Sequence, residues 1–488
     1  MNPNYVNSQE IEKKGLYRIE LHNEVYKGDG ISWLLNKADT CQYILFGEQH
    51  GVAGVAALVT DIYSKLNGYN YLALEIDPWT TMKSTQLGVM AFTKKYPHSI
   101  AFDSDEDLRL MQTAIDLNPK ITEPLWGLDQ MQTAIHPFQR LFELASSSEQ
   151  KRIARGAYLK SVMKMGSYTR QDHQKDLVII EKVFKDNPSA EASQIINELK
   201  QTMRIFSMWK NPETRQESVK IRENLMIQNF DDYLANVGNK KVVFKMGGAH
   251  TMYGVGPNGV PTLGNHVNSV ALKNGHSSLS VNLRRFNPEN SFVKKADFGN
   301  SSILLLNTKE YFENDTTIER HPDFKRFDAI IFFKDAGYAS KSINRPYEKA
   351  FTNNFILSLA PLTIGLLICF SMLILGIFYL FKSSYKKRKK EILGGIISSL
   401  LLLALVFFQI LHILSYPRFN ATIDTSFIPI VIYLFLGFIA LFQVYRGIRL
   451  IRQDSVSLSF KIFYLMYALF YLLTSYLLYQ WNICGMLS

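Results

Sequence analysis

Two short glycine-containing stretches carry the side chains whose types and spacing could support chemistry. Residues 47–51 read Gly-Glu-Gln-His-Gly, residues 247–250 read Gly-Gly-Ala-His, and each stretch follows an apolar run. In both, a histidine stands three residues after a glycine. Residues just past the carboxyl ends of parallel strands line the crevice in which α/β folds hold their ligands. Either stretch alone could be an ordinary polar turn, but the repeated spacing favours one shared site.

Carboxylates follow a third apolar run. Glu75 stands where a strand next to the first one would end, and a second carboxylate follows two residues later. Imidazole nitrogen and carboxylate oxygen together suit Mn, Co, Zn or Fe. The sequence therefore predicts a divalent-metal site held by His50, Glu75 and His250, with the identity of the metal left open. Glu48 could be a further ligand, the base that takes a proton from water, or a residue that orients its neighbour.

Three further residues are predicted to bind substrate. Asp77 is the second carboxylate of that strand end, and Tyr253 follows the second histidine closely. His266 comes after residues 254–264, a loop rich in glycine and proline that could cover the site as a lid. Arg222 lies on a predicted helix, from which its guanidinium could stabilise an oxyanion. Spacing alone equally allows Arg222 to lie on a solvated helix face.

A sheet is needed to position these residues, and the chain alternates short apolar runs with helical periodicity. Strands are predicted at 43–46, 71–74, 125–128, 242–246, 279–283 and 329–333. Charged periodic segments between them predict amphipathic helices. Strands that alternate with helices form a mostly parallel sheet covered on both faces. The predicted fold class is therefore α/β, a mostly parallel sheet flanked by helices, with a helical insertion at about 137–238.

The composition changes abruptly after residue 350. Four apolar stretches there, each near the roughly 20 residues needed to cross a bilayer, predict an all-α, four-helix transmembrane region. They cover residues 355–381, 392–415, 427–445 and 462–479. The predicted organisation is an N-terminal extension at 1–40 with a short helix near 31–35, the α/β domain at 41–340, a linker at 341–354 and the membrane helices at 355–480.

The loops between the spans predict how the chain lies in the membrane. Basic residues cluster between the first and second spans and between the third and fourth, whereas the middle loop has Arg418 opposed by Asp424. The excess of Lys and Arg in cytoplasmic loops places both basic loops in the cytoplasm and residues 1–350 outside. No signal-peptide pattern is recognisable in residues 1–40, so a cytoplasmic domain stays open as the alternative. The predicted location is a cell membrane, multi-pass, with the lipid bilayer as a partner and the N-terminal domain extracytoplasmic.

The charge balance argues against a nucleic-acid partner. The 488 residues carry a net charge of +11, but residues 351–488 hold 11 basic and 3 acidic side chains and supply most of it. The rest of the chain is nearly neutral and has no basic stripe interleaved with aromatics. The three cysteines lie far apart, which fits neither a disulfide scaffold nor a thiolate metal site.

In this order, the motifs resemble those of the erythromycin esterase, ChaN and Tiki/TraB superfamily over roughly residues 40–340. The matching stretches are Gly47-Glu48-Gln49-His50-Gly51, Leu74-Glu75, Arg222-Glu223-Asn224-Leu225-Met226 and Gly247-Gly248-Ala249-His250. The resemblance implies a parallel-sheet domain with its site at the strand carboxyl ends, and hydrolytic activity in several members. It also implies a divalent metal and a membrane tether in Tiki-type members, a histidine base in esterase-type members and bound haem in ChaN-type members.

Roles can be carried onto this chain from the resemblance. It makes His50, Glu75 and His250 metal ligands or bases, Glu48 the residue that orients or deprotonates water, and Arg222 the electrostatic stabiliser. Esterase-type members have an asparagine ahead of the second histidine, which this chain lacks. That departure, together with the predicted membrane spans, favours the Tiki-type form.

The expected function is a membrane-tethered, divalent-metal-dependent hydrolase that cleaves an ester or peptide bond in a small-molecule or peptide substrate. The metal would lower the pKa of its water toward about 7, and Glu48 would take the proton. A metal-free form would use His50 as the general base. The alternative from another class is a membrane-anchored module that binds haem or another small ligand, with Tyr43, Tyr253 and the histidines as candidate axial ligands.

Overall fold

The computed structural model describes most of the first 339 residues. The described ranges are 15–96, 99–100, 104–163, 171–185, 189–289, 293–314 and 325–339, together with the isolated residues Ile374, Tyr445 and Arg449. The chain divides into two units, Met1–Arg345 and Pro346–Ser488. Within the described residues, no helix is both long and apolar enough to cross a bilayer. The four predicted spans lie outside the described residues, apart from Ile374 and Tyr445, and therefore stay a prediction.

A nine-stranded sheet forms the centre of the first unit. Its strands are β1 (Leu16–His22), β2 (Val25–Lys27), β3 (Cys41–Glu48), β4 (Tyr69–Leu74), β5 (Leu125–Gly127), β6 (Lys241–Gly247), β7 (Ser277–Arg285), β8 (Ile303–Asn307) and β9 (Ala329–Phe333). Across the sheet their order is β2-β1-β8-β9-β7-β3-β6-β4-β5. The neighbours from β9 through β5 pair in parallel, whereas β8, β1 and β2 pair antiparallel at the opposite edge. The predicted α/β class, with helices flanking a mostly parallel sheet, is confirmed for this unit.

Helices cover both faces of the sheet. They are α1 (Asp29–Thr40), α2 (Val55–Lys65), α3 (Pro78–Leu87), α4 (Val89–Lys95), α5 (Asp105–Leu117), α6 (Ile135–Leu144), α7 (Ser148–Met163), α8 (Gln171–Phe184), α9 (Ala190–Lys210), α10 (Arg215–Val237), α11 (Gly248–Thr251), α12 (Leu263–Lys273) and α13 (Thr308–Asn314), with a 3-10 helix at Lys295–Phe298. Helices α6 to α10 occupy the chain between β5 and β6, where the sequence predicts a helical insertion.

The side chains of β3 explain why this segment is a central strand. Ile44 and Phe46 belong to the apolar cluster on one face of the sheet, and Tyr43 and Leu45 belong to the cluster on the other. Successive side chains of a strand point to opposite faces, so a strand covered on both sides needs a continuous apolar run. All eight residues of β3 are buried. Packing on both faces therefore fixes the strand up to its last residue, Glu48.

The antiparallel edge differs from the sequence prediction. Strands β1 and β2 fall within the predicted extension at 1–40, and β8 falls where no strand is predicted. In β1, Leu16 and Ile19 are buried while several other side chains stay partly or fully exposed, so the strand lacks a continuous apolar run. Strand β8 does carry such a run, but it returns antiparallel to β9, which the strand–helix–strand pattern of the parallel block does not anticipate.

Candidate active site

Three neighbouring strands bring the predicted residues to one place. Strands β3, β6 and β4 are adjacent, and Glu48 at the end of β3 pairs in register with Gly247 at the end of β6. Glu75 directly follows β4, and His250 lies on α11, which begins directly after β6. Because the carboxyl ends of parallel strands share one edge of the sheet, these residues and His50 meet there.

Glu75 lies between the two histidines. His50 Nε2 is 3.8 Å from Glu75 Oε2, and His250 Nε2 is 3.5 Å from Glu75 Oε1. A second carboxylate holds the other nitrogen of each ring: His50 Nδ1 lies 2.9 Å from Glu48 Oε1, and His250 Nδ1 lies 2.5 Å from Glu223 Oε1. Both imidazoles therefore turn Nε2 toward the same carboxylate, and we call these five side chains the histidine–glutamate cluster.

The two histidines differ in burial. The side chain of His50 is 40% exposed, whereas that of His250 is 11% exposed and that of Glu75 only 6%. The buried Glu223 that holds His250 is itself fixed, because its Oε2 accepts the N–H of Leu263 at 2.9 Å. Solvent therefore reaches the cluster from the His50 side.

A buried lysine holds Glu48 in place. Lys245 points from β6, donates to Glu48 Oε2 at 2.7 Å and to Asp107 Oδ1 at 2.5 Å, and is 5% exposed. Burial raises the pKa of Glu48, but the charge of Lys245 and the hydrogen bonds from His50 and Lys245 bring it below its ordinary value. Glu48 is therefore ionised at neutral pH, and the Nδ1–H of His50 is the donor in the bond between them.

Arg222 joins the cluster through two carboxylates. Its Nη2 donates to Glu75 Oε1 at 2.7 Å, and its Nε and Nη2 donate to the two oxygens of Asp129 at 2.9 and 2.6 Å. Asp129 stands just after β5 and is 1% exposed. A two-point bond between guanidinium and carboxylate fixes both the position and the plane of the arginine. Arg222 thus reaches into the site, with 26% of its side chain exposed.

The cluster alternates positive and negative charge. Burial lowers the pKa of His250, but the hydrogen bonds to Glu223 and Glu75 outweigh it and raise this pKa to about 10. Burial raises the pKa of Glu75, but the bond and charge of His250, with the charge of Arg222, bring it well below its usual range. At neutral pH an ionised Glu75 therefore lies between an imidazolium and a guanidinium.

Gly247 forms the backbone floor of the cluster. Its N–H donates to Glu75 Oε2 at 2.7 Å. A Cβ atom built on Gly247 would lie 2.9 Å from His50 Nε2 and 3.1 Å from Glu75 Oε2. The φ angle of Gly247 is −57°, which any residue can adopt. Glycine is therefore required here by space and not by backbone conformation.

The geometry does not support the predicted divalent metal. In the described part of the chain, no group of three or more His, Cys, Asp or Glu side chains is arranged to hold a metal ion. The two oxygens of Glu75 accept hydrogen bonds from Arg222 and Gly247, and Nδ1 of His250 is bonded to Glu223. The predicted ligands His50, Glu75 and His250 thus lie together, but hydrogen bonds and charge link them in this arrangement.

The predicted substrate-binding residues do not join the cluster. Asp77 is fully buried and caps the first turn of α3. The hydroxyl of Tyr253 donates to Asp328 Oδ2 at 2.7 Å, close to the amino end of β7 and so at the opposite edge of the sheet from the strand carboxyl ends. His266 Nε2 lies 2.8 Å from Asp231 Oδ1 on the neighbouring helix α10.

Four residues that build the site received no predicted role from the sequence: Asp129, Lys245, Glu223 and Asp107. Asp129 follows a predicted strand, so the strand-end rule could have found it. A lysine inside an apolar strand indicates a buried charge that needs partners, which was a second usable signal. Glu223 and Asp107 lie on helices, and only the packing of those helices brings their carboxylates to the histidine and the lysine.

Several proteins of known structure resemble this fold at low sequence identity. No protein-family model matches the chain, and no curated protein is detectably similar to it. A Bacillus cereus protein of known structure is 12% identical, with a TM-score of 0.46 over 69% of this chain and 99% of that one.

Two other solved structures come from families that the motifs resemble. An erythromycin esterase mutant in its open conformation is 12% identical, with a TM-score of 0.41 over 64% of this chain and 96% of that one. ChaN of Campylobacter jejuni, with cofacially bound haem, is 13% identical, with a TM-score of 0.28 over 65% and 97%. Similarity at this level carries no inference about activity, which has to come from the site itself.

Proposed function

We propose that the histidine–glutamate cluster hydrolyses an ester or amide bond, with His50 as the general base on water. The observation that carries this proposal is the convergence of two carboxylate-held imidazoles on Glu75 at the carboxyl edge of the sheet. General-base catalysis needs a basic atom of fixed orientation within reach of solvent. His50 Nε2 meets both conditions, because Glu48 fixes the ring and the side chain is 40% exposed.

The first step moves a proton from water to His50. Nδ1 of His50 carries the hydrogen that it donates in the hydrogen bond to Glu48, so the lone pair of the neutral ring lies on Nε2. A water between His50 Nε2 and Glu75 Oε2, which are 3.8 Å apart, can donate one hydrogen to each. As the water oxygen attacks a carbonyl carbon, Nε2 takes its proton and Glu48 stabilises the imidazolium. That imidazolium then returns the proton to the leaving group.

Arg222 and His250 supply fixed positive charge beside the reacting carbonyl. Their side chains are 26% and 11% exposed, so water screens these charges little. Donors and charges that are already in position stabilise the negative oxygen of the tetrahedral intermediate without rearranging. Asp129 and Glu223 hold Arg222 and His250 in that position.

The narrower expectations stay proposals. Metal dependence is not part of this mechanism, because the predicted ligands are already engaged with Arg222, Gly247 and one another. The substrate is proposed to be a small molecule or a peptide, and the tether to be the predicted membrane spans. The haem-binding alternative is less well supported, because Tyr43 is buried in the core and the hydroxyl of Tyr253 is bonded at the other edge of the sheet.

The test is His50→Gln in the full chain, assayed on a panel of 4-nitrophenyl esters. We expect kcat/KM to fall by about 100- to 10,000-fold, the range that general-base catalysis contributes, with an unchanged melting temperature. His276→Gln makes the same change at an exposed histidine and should leave the rate unaltered.

A chelator separates the mechanism from its metal-dependent form. Wild-type protein treated with EDTA should keep its rate, since no step needs a metal. Loss of activity that one divalent ion restores would replace the proposed base with a metal-bound water. Full activity of the His50→Gln protein, or no hydrolysis of any ester by wild type, would remove the proposed function.

A further inference from the structure

A cavity of about 840 Å³ opens beside the histidine–glutamate cluster. Glu48 and Gly248 line its inner side, so it begins at the end of β3 and the start of α11. The carboxyl end of β7, the strand next to β3, contributes Asn282, Arg284 and Arg285 to its lining. Pockets of roughly 300–1,000 Å³ hold small organic ligands. The cavity is therefore large enough for the part of a substrate that extends beyond the reacting bond.

The walls of this cavity carry an excess of positive charge. Arg284 and Arg285 provide two guanidinium groups, and Glu48 provides the one carboxylate among the described lining residues. Lys245 already pairs with that carboxylate at 2.7 Å. Guanidinium keeps its charge at every physiological pH and has a planar fork that matches carboxylate and phosphate oxygens. A ligand with a negative group is therefore favoured over a neutral one.

The remaining wall is apolar. Phe286, Phe327 and Phe332 line the cavity together with Met252. All four residues are buried, from 3% exposed for Phe327 to 8% for Phe286, so they form a firm surface. A purely ionic ligand such as inorganic phosphate would leave this surface in contact with water. The walls instead suit a ligand that has both an apolar body and a negative group.

One polar group connects the cavity to the reacting centre. Asn282 is 5% exposed, and its Oδ1 lies 3.1 Å from the position of a Cβ built on Gly248. The glycine thus leaves room for this amide beside the backbone at the start of α11. A ligand that crosses Gly248 has the histidine–glutamate cluster on one side and the arginines on the other.

We propose that the cavity binds the anionic end of a substrate that has an apolar body, with Arg284 and Arg285 as the specificity-determining residues. The substrate class is an ester or amide of an amphiphilic acid, whose free carboxylate or phosphate lies at the arginines. This proposal rests on the proposed function for the bond that is cleaved. Binding of the anionic end is a separate property and can be measured without hydrolysis.

The first measurement compares two small probes, 4-phenylbutanoate and its neutral amide, 4-phenylbutanamide. They share the aromatic body and differ in charge at one end. Calorimetric titration of the full chain should give a dissociation constant at least about tenfold lower for the acid, the size expected for one charge-assisted hydrogen-bond pair. Equal affinities, or no binding of 4-phenylbutanoate, would overturn the proposal.

The second measurement removes the arginines. Arg284→Gln combined with Arg285→Gln should abolish the preference for the acid while leaving affinity for the amide unchanged. Arg204→Gln removes the same charge from an exposed position on α9 and should keep the preference. If the double variant does not fold, Arg285→Gln alone should still reduce the preference, because this side chain is exposed at the strand end. A preference that survives in the arginine variants would overturn the proposal.

Hydrolysis provides an independent outcome. Mono-4-nitrophenyl octanedioate and 4-nitrophenyl octanoate differ by a terminal carboxylate, and the first should have the higher kcat/KM in wild type but not in the arginine variants. Preferential binding of 4-phenylbutanoate without hydrolysis of either ester would support the cavity's specificity and remove the proposed function. Hydrolysis of both esters at equal rates would support the proposed function and overturn the specificity.

Discussion

The two histidines of the site have similar contacts and differ in how far they are exposed. Each ring is held at Nδ1 by a carboxylate and faces Glu75 with Nε2. His250 is nearly buried between two carboxylates, which raises its pKa to about 10 and makes it a fixed positive charge. His50 is 40% exposed, with Glu48 Oε1 2.9 Å from its Nδ1 and Glu75 Oε2 3.8 Å from its Nε2. This difference in exposure is the reason why the proposed mechanism takes His50 as the base and His250 as a fixed charge.

One methyl group added at Gly247 should lower the rate of hydrolysis and leave the stability of the fold almost unchanged. Gly247→Ala would place a Cβ 2.9 Å from His50 Nε2 and 3.1 Å from Glu75 Oε2, in the gap where the reacting water is proposed. The backbone conformation accepts alanine, so we expect kcat to fall at least about tenfold while the free energy of unfolding changes by less than about 1 kcal/mol. Ester hydrolysis and denaturant unfolding of the same preparation measure the two quantities.

Gly156→Ala is the matched control. A Cβ at Gly156, on α7, meets no atom within 4 Å. Alanine there should leave the rate unchanged and stabilise the helix by about 0.5–1 kcal/mol. Wild-type activity in the Gly247→Ala protein would mean that the reaction does not occur between His50 and Glu75.

At the scale of elements, α10 does more than cover the sheet. Its neighbouring residues Arg222 and Glu223 diverge, the first toward Glu75 and Asp129 and the second toward His250. Consecutive residues of a helix lie about 100° apart around its axis, so one helix can serve both sides of a site. The last helix of the insertion between β5 and β6 therefore supplies two charged side chains, which contact Glu75 and His250.

This helix also shows what the sequence could and could not predict. The strand ends placed His50, Glu75 and His250 at one edge, because the period of apolar runs and the rule for parallel sheets suffice for that. The orientation of α10 depends on how its apolar residues pack beneath the sheet, which spacing does not contain. The role of Arg222 therefore stayed open in the sequence, and Glu223, although part of the same motif, received no predicted role. The antiparallel edge was missed for a different reason, since it departs from strand–helix alternation.

The amino end of α3 carries a second pair of carboxylates. Asp77 caps the helix, and Glu198 reaches it from α9 and accepts the backbone N–H of Trp79. Glu198 Oε2 and Asp77 Oδ2 are buried without a hydrogen-bond partner. Burial, with the charge of Asp77, raises the pKa of Glu198 to about 8. The contact that docks the insertion on α3 is therefore sensitive to pH.

The free energy of unfolding should decrease as the pH rises, because of Glu198. Between pH 4.5 and about 8, the folded chain keeps a proton on this carboxyl that the unfolded chain releases, so the group's contribution to the unfolding free energy declines as pH rises through that window. Glu198→Gln removes the decline. Relative to wild type, the variant should gain stability from pH 5 to 9, reaching as much as about 4 kcal/mol and levelling above pH 8.

Denaturant unfolding of the full chain at several pH values measures this difference, and subtracting the wild-type curve cancels the other titrating groups. Glu213→Gln changes an exposed carboxyl and should give a difference that does not vary with pH. A Glu198→Gln curve parallel to wild type would mean that Glu198 is ionised in the folded chain at neutral pH.

At the scale of the whole molecule, charge is divided unevenly along the chain. Residues 351–488 supply most of the net charge of +11, and ten of their 11 basic residues stand in two loops between predicted spans. The α/β unit is close to neutral and carries the histidine–glutamate cluster. A membrane location would therefore bring the proposed hydrolase to substrates at one face of a bilayer, and the charged loops decide which face.

We predict that the α/β unit lies outside the cytoplasm. Lys and Arg near span ends resist translocation, and the first basic loop alone contains Lys382, Lys386, Lys387, Arg388, Lys389 and Lys390. With the first basic loop held inside, the single predicted span that precedes it leaves the N-terminal unit on the other side. Protease added to intact cells should then digest the unit, detected with an antibody against it. Protection in intact cells, with digestion only after permeabilisation, would reverse the orientation, and release of the chain by alkaline carbonate would remove the spans altogether.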